Sequence, residues 1–167
     1  MSIFMPDYSL QSALDVTPEF LLGKNLYAVL LDVDNTLAIY GNPEPAEGIL
    51  EWIQNLKKSG ISIMIVSNNT KERVAPFAKL LGLDFVYFSC KPFGLGIRKA
   101  CKRMGVKPSK AVMIGDQILT DIVGGNLQRM TTILVEPFEL EQSLLFRIKR
   151  RWERRYRNRS RIKGESR

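Results

Sequence analysis

Ala28-Val29-Leu30-Leu31-Asp32-Val33-Asp34-Asn35-Thr36 decides how the rest of the chain is read. Residues 28–33 are a short run of aliphatics with one acid among them. Such a run reads as a strand buried on both faces, which is the habit of a parallel sheet. Four further short apolar runs fit the same sheet: 61–66, 85–88, 111–114 and 132–135. Between them lie helical patterns. Ile49, Leu50, Trp52, Ile53 and Leu56 fall at helical spacing over Ile49–Ser59, and Gly60 supplies the stop. Asn69 or Thr70 is placed to cap a helix reaching Leu81, closed by Gly82. Leu95–Met104 reads as a third helix ended by Gly105, and a short helix is expected over Ile118–Val123. Gly41-Asn42-Pro43-Glu44-Pro45 reads as a loop. Alternating strands and helices predict an α/β, Rossmann-like open parallel sheet with helices on both faces.

The polar residues that stand out each follow a predicted strand: Asp32 and Asp34, Ser67 and Asn68, Lys91, and Asp116 with Asp121. Sheets of this kind bind ligands beyond the carboxyl ends of their strands. Four separate segments therefore bring carboxylates, a hydroxyl and an ammonium to one rim. That set suits phosphoryl transfer, in which a cation neutralises the phosphate and an oxygen nucleophile attacks in line. Asp32 is the candidate nucleophile, through an aspartyl-phosphate. Asp34, past the strand end, is the candidate acid and base. Asp32, the backbone carbonyl of Asp34, and Asp116 are the candidate ligands for Mg2+. Ser67, Asn68 and Lys91 are the candidates for holding phosphate. Asp121 reads as a support for Lys91 or a metal-bound water, or as a helix-surface acid.

These motifs resemble the haloacid dehalogenase superfamily of phosphatases. Asp-x-Asp-x-Thr matches Asp32 to Thr36, a Ser after a strand matches Ser67-Asn68, a lone Lys matches Lys91, and Gly-Asp with a later Asp matches Gly115-Asp116 and Asp121. The departure is Gln117, where many relatives carry a second acid. Pro6-Asp7-Tyr8, Asp15-Val16-Thr17-Pro18-Glu19 and Gly115-Asp116-Gln117 look like the capless, YqeG-like branch. That branch is similar to the phosphatidylglycerophosphate phosphatases. The resemblance implies an anionic phospholipid substrate, phosphatidylglycerophosphate, and a phosphatase domain over residues 1–140.

In that superfamily cap domains are inserted between the first and second motifs, or between the second and third. Asp34 and Ser67 are 33 residues apart, and Ser67 and Lys91 are 24 apart. Both gaps are filled by the elements already assigned, so no cap is expected. The site should be open, or covered by a second subunit.

Several chemistries are excluded or disfavoured. The 167 residues contain no histidine, which removes Ser-His-Asp triads and His-bound zinc. Cys90 and Cys101 lack an arginine six positions on, so neither heads a thiol-phosphatase loop. Two cysteines and no signal-like N-terminus fit a reducing cytoplasm. Asp32–Pro43 lacks the glycine and glutamate of a calcium loop.

The net charge of +8 sits in the tail. Residues 147–167 hold 11 basic residues against two Glu, while residues 1–146 are close to neutral. Leu140, Leu144, Ile148, Trp152 and Tyr156 recur every fourth position among arginines. If helical, residues 140–160 form a basic amphipathic segment suited to the inner face of a membrane. The other readings of residues 141–167 are a stripe packed on the core with a solvated end, and a nucleic-acid arm that no RNA-binding signature supports. Two further possibilities remain at this level: a phosphatase of a soluble or protein phosphate, and a ribosome-associated protein with a vestigial site.

Overall fold

The central strands have no polar face because each buries both sides. The computed structural model describes residues 2–138, and in it six strands form one all-parallel sheet. In chain order they are β1 (Tyr8–Leu10), β2 (Ala28–Leu31), β3 (Ser62–Val66), β4 (Asp84–Val86), β5 (Ala111–Gly115) and β6 (Thr131–Val135). Their spatial order is β1-β6-β5-β2-β3-β4. Five helices accompany them: α1 (Pro18–Gly23), α2 (Ile49–Lys58), α3 (Lys71–Leu81), α4 (Leu95–Met104) and α5 (Val123–Leu127).

The period-two alternation of strand side chains sorts the core into two layers. Val29, Leu31, Ile63, Ile65, Val112 and Ile114 meet the apolar stripes of α2 and α3 on one face. Ala28, Leu30, Met64, Val66, Ala111 and Met113 meet Ile97, Ala100 and Cys101 of α4 on the other. Each fully buried aliphatic side chain contributes about 1.5–3 kcal/mol. Cys101 is part of this core, where burial pushes its thiol pKa up, and Cys90 is exposed.

The expected α/β sheet is present, and no cap interrupts it among the described residues. From Asp34 to Ser67 the chain supplies a turn, α2 and β3, and from Ser67 to Lys91 it supplies α3 and β4. Two elements were not legible. Strand β1 pairs with β6 through Tyr8↔Ile133 and Leu10↔Val135 at the sheet edge. At three residues it is too short to show a period. Helix α1 is set by Thr17, whose hydroxyl accepts from the Phe20 amide at 3.2 Å. Trp52 ties this segment to α2 by donating its indole N–H to Val16 O at 2.8 Å. The expected strand over 85–88 stops at Val86, because Phe88 takes φ +42° and leaves the extended region. The expected helix at 118–123 is a π turn over Ile118–Ile122 running into α5.

Among the described residues no helix is long and apolar enough to cross a membrane. The expectations for residues 140–160, and for a tail beginning at residue 141, lie outside the described residues.

Candidate active site

The strand order reverses beside β2. The chain runs from β2 to β3 and β4 on one side, then returns to place β5 and β6 on the other. A crevice opens where the connections diverge, at the carboxyl ends of β2 and β5. Asp32 follows β2 there and still donates its amide to Ile114 O at 3.1 Å. Asp116 follows β5 at the same level. The register pairs Leu31 with Ile114, so the two acids arrive side by side.

Past Asp32 the chain folds back on itself. The amides of Thr36 and Leu37 both donate to Val33 O, at 3.2 and 2.9 Å, and Asn35 takes φ +59°. This turn ends the strand's alternation, which is why Asp34 reaches the cleft although it lies only two residues beyond Asp32. Asp32, Asp34, Tyr40, Ser67, Lys91 and Gln117 are among the residues lining that cleft.

Lys91 is 5% exposed, and its ammonium makes three contacts. They are Asp32 Oδ1 at 2.8 Å, Asp121 Oδ1 at 2.7 Å and Val66 O at 2.7 Å. These use all three of its donors. Burial alone would lower its pKa, but the Asp121 and Asp32 carboxylates outweigh that and push it up. Lys91 is therefore a fixed cation behind the nucleophile candidate. The same contact shows Asp121 holding Lys91, one of the two supporting tasks read for it in the sequence. Asp121 also accepts from the Gln117 amide at 3.1 Å. Gly115 makes this approach feasible, since a Cβ there would collide with the Asp121 carboxylate.

Asp32, Asp116 and Asp121 are buried with carboxylate oxygens all within 4.8 Å of one another. Burial pushes the Asp32 pKa up to about 6, Lys91 opposes this, and Asp121 and Asp34 reinforce it. Three buried carboxylates packed this closely, with the Lys91 ammonium against two of them, form a strongly acidic set of hard oxygens. Such a set fits a divalent cation, of which Mg2+ is the kind usually held by one or two carboxylates plus substrate phosphate. The cluster also brings in Asp121, which the sequence presented only as a support.

The remaining expected residues take unequal parts. Ser67 is buried and lines the cleft, and its Oγ accepts from the Asn69 amide at 3.1 Å. Asn68 also lines the cleft, but its carboxamide is turned to the loop before α4. Its oxygen accepts from the Ser89 hydroxyl at 2.7 Å and the Lys91 amide at 2.8 Å, while its nitrogen donates to Lys91 O at 3.0 Å. The side chain thus clamps the segment that carries Lys91. Thr70 occupies the cap position of α3 without a side-chain cap bond, and Asn69 donates instead to Asp34 Oδ2 at 2.8 Å. Arg73, in the first turn of α3, pairs with Asp34 Oδ1 at 2.7 Å. Sequence reasoning missed Arg73, because Lys71-Glu72-Arg73 looks like any charged helix start.

Comparison with known proteins agrees with this geometry. The family model described as haloacid dehalogenase-like hydrolase matches residues 12–127. The protein named probable phosphatase YqeG of Bacillus subtilis is 38% identical over 152 residues, covering 91% of this chain and 88% of that protein. Pyrophosphatase PpaX of Halalkalibacterium halodurans is 30% identical over 101 residues, and there the match spans 46% of the relative. An uncharacterized protein from Listeria monocytogenes superposes with a TM-score of 0.58 at 18% identity, over 71% of this chain and 85% of that one. A 3-deoxy-D-manno-octulosonate 8-phosphate phosphatase from Yersinia pestis gives 0.51 at 15% identity, over 87% and 89%. At such identities the two structures speak for the fold alone.

Proposed function

The chain belongs to the haloacid dehalogenase-like hydrolases and is a phosphatase of that family, and from that premise we propose a magnesium-dependent phosphomonoester hydrolase acting through Asp32. The observation that carries the proposal is the buried contact of Lys91 with Asp32 and Asp121, with Asp116 packed beside the two carboxylates. Asp32 and Asp116 with the backbone carbonyl of Asp34 hold the ion in this reading, and Asp121 stands close by. When bound, the cation neutralises charge on the phosphate oxygens.

The chain's own residues divide the reaction as follows. An Asp32 carboxylate oxygen bonds to phosphorus, and the bond from phosphorus to the leaving oxygen breaks. The electron pair stays on that oxygen, which takes a proton from Asp34. Water then attacks phosphorus and gives a proton to Asp34, and the bond to Asp32 breaks, restoring its carboxylate and releasing phosphate. Lys91 keeps Asp32 oriented and ionised beside a phosphate that would otherwise repel it. Ser67 offers its hydroxyl to a phosphate oxygen.

The substrate in this proposal is an anionic phospholipid bearing a terminal phosphate, phosphatidylglycerophosphate. Its support is the sequence resemblance, the absence of a cap among the described residues, and the character of the rim. Phe88 and Phe93 are 59% and 76% exposed on the loop that supplies Lys91, and Leu95 is 60% exposed where α4 begins just after it. An aromatic at φ +42° is a costly backbone state, and the Phe88 amide holds it there by donating to Asn69 O at 3.0 Å. An apolar substrate body or a lipid surface would cover these side chains. Membrane contact through residues 140–160 belongs to the same proposal, since the eight basic residues of that segment near an anionic leaflet would attract it.

Phosphate release from phosphatidylglycerophosphate in mixed micelles, set against a panel of soluble phosphates with Mg2+ throughout, tests the substrate. Turnover of soluble esters with none of the lipid would reject the lipid. Turnover of p-nitrophenyl phosphate at the same rate by wild type and Asp32→Asn would remove Asp32 from the mechanism.

A further inference from the structure

Asp34 is held by three donors, and they are unevenly shared. Its Oδ1 accepts from Arg73 Nη2 at 2.7 Å and from the Gly41 amide at 3.1 Å. Its Oδ2 accepts from Asn69 Nδ2 at 2.8 Å. A carboxylate oxygen offers two lone pairs, so Oδ1 is saturated and Oδ2 keeps one position open. Asn69 is among the residues that line the cleft with Asp34, and Arg73 and Gly41 are not. The oxygen with a vacant position is therefore the one whose partner lines the cleft.

Arg73 is itself fixed. It stands one turn before Phe77 in α3, and its guanidinium sits 5.5 Å from the centre of that ring. Phe77 is fully buried in the core between α3 and the sheet. The side chain of Arg73 is only 18% exposed, so its planar fork has little room to turn.

We infer that Arg73 is a positioning residue for proton transfer, closing Asp34 Oδ1 so that Oδ2 alone exchanges the proton with the leaving oxygen and then with water. This rests on the reading of Asp34 as the acid and base. A proton on Oδ1 would be donated away from the substrate. With Oδ1 taken by two donors, that misplacement is blocked. When the phosphorus–oxygen bond breaks and the leaving oxygen takes the Oδ2 proton, the carboxylate left behind already has its guanidinium partner. Nothing in the sequence pattern marks Arg73 for this task, which depends on where α3 sits over the turn after β2.

The full-length chain with Mg2+ tests this through kcat/KM, which reports the steps up to departure of the first product. Two esters are compared. 2,4-Dinitrophenyl phosphate has a leaving group that departs unprotonated, and a primary-alcohol phosphate needs the proton. R73M should lower kcat/KM for the alcohol ester roughly 10- to 100-fold, a part of the roughly 100- to 10,000-fold that acid catalysis supplies, and for the dinitrophenyl ester less than about threefold. R73K keeps the charge without the planar fork and should show a smaller gap between the two esters. It carries the test if R73M does not fold. Equal losses on both esters in the folded Arg73 variants would overturn the inference, because a merely structural arginine affects both alike. D34N separates the two levels. A large gap in D34N with none in R73M or R73K rejects only the role of Arg73. No gap in D34N rejects the acid reading, and the inference with it.

Discussion

Replacing Lys91 by methionine removes the ammonium that sits among three clustered carboxylates. The stem volume is nearly kept, so packing changes little. What changes is that Asp32 and Asp121 lose their shared ammonium, and Val66 O loses a donor. Deleting one partner of a buried ion pair costs about 3–5 kcal/mol. For a chain of this length that lowers the unfolding temperature by roughly 10 °C in the absence of divalent metal. Without the ammonium between them, Asp32 and Asp121 repel each other and Asp116 more strongly, so a bound divalent cation relieves more repulsion in the variant than in the wild type. Calorimetry in chelator and then in saturating Mg2+ gives four unfolding temperatures. The metal-induced rise should be clearly larger for Lys91→Met, while phosphatase activity is largely lost even with metal. A variant as stable as wild type in chelator, with the same metal-induced rise, would refute the electrostatic reasoning.

Other predictions follow from the same contacts. The folded-state pKa of Asp32 is raised from 3.8 to about 6, so its contribution to stability is full below pH 3.8 and is lost as pH rises through about 6. Metal-free protein should thus lose stability between about pH 4 and pH 6 by chemical denaturation, and Mg2+ should offset that loss above pH 6; a metal effect equal at pH 5 and pH 8 would contradict it. Gly115→Ala drives a Cβ into the Asp121 carboxylate and should cost about 1–3 kcal/mol in urea unfolding while weakening activity. Phe93→Ser removes a ring that is 76% exposed in the free protein and should leave p-nitrophenyl phosphate turnover unchanged. For phosphatidylglycerophosphate in micelles it should raise KM about tenfold, the worth of roughly 1.4 kcal/mol of apolar contact.

What was legible in the sequence followed from burial. Aliphatic runs buried on both faces mark β2, β3, β5 and β6, and a polar residue directly after such a run has few reasons to be there except the rim. Asp32, Ser67 and Asp116 were found that way, and Asp34 followed because a chain leaving a strand no longer alternates. Lys91 was legible as a position, with Asp121 as a candidate partner, but its contacts with Asp32 and Val66 were not. They reach across 59 and 25 residues of sequence. Asn68 looked like a phosphate ligand because it follows Ser67, yet its carboxamide is occupied by a loop more than 20 residues downstream. Arg73 was hidden for the same reason. A charged residue in the first turn of a helix is ordinary, and only the packing of Phe77 and the turn at Asn35 brings its guanidinium to Asp34. Strand β1 was invisible because an edge strand of three residues contributes too little pattern, and its place is set by pairing with β6.

The central claim is that phosphate passes through a covalent bond to Asp32. The most direct test is to acid-quench the enzyme during turnover of a phosphomonoester with Mg2+, reduce it with borohydride, and map the peptides by mass spectrometry. An acyl phosphate is reduced to the alcohol, so Asp32 should be converted to homoserine in enzyme quenched with substrate and remain aspartate in enzyme quenched without it. Conversion at Asp116, Asp121 or Asp34 instead, or at no residue under conditions where a known aspartyl-phosphate enzyme is trapped, would contradict the account.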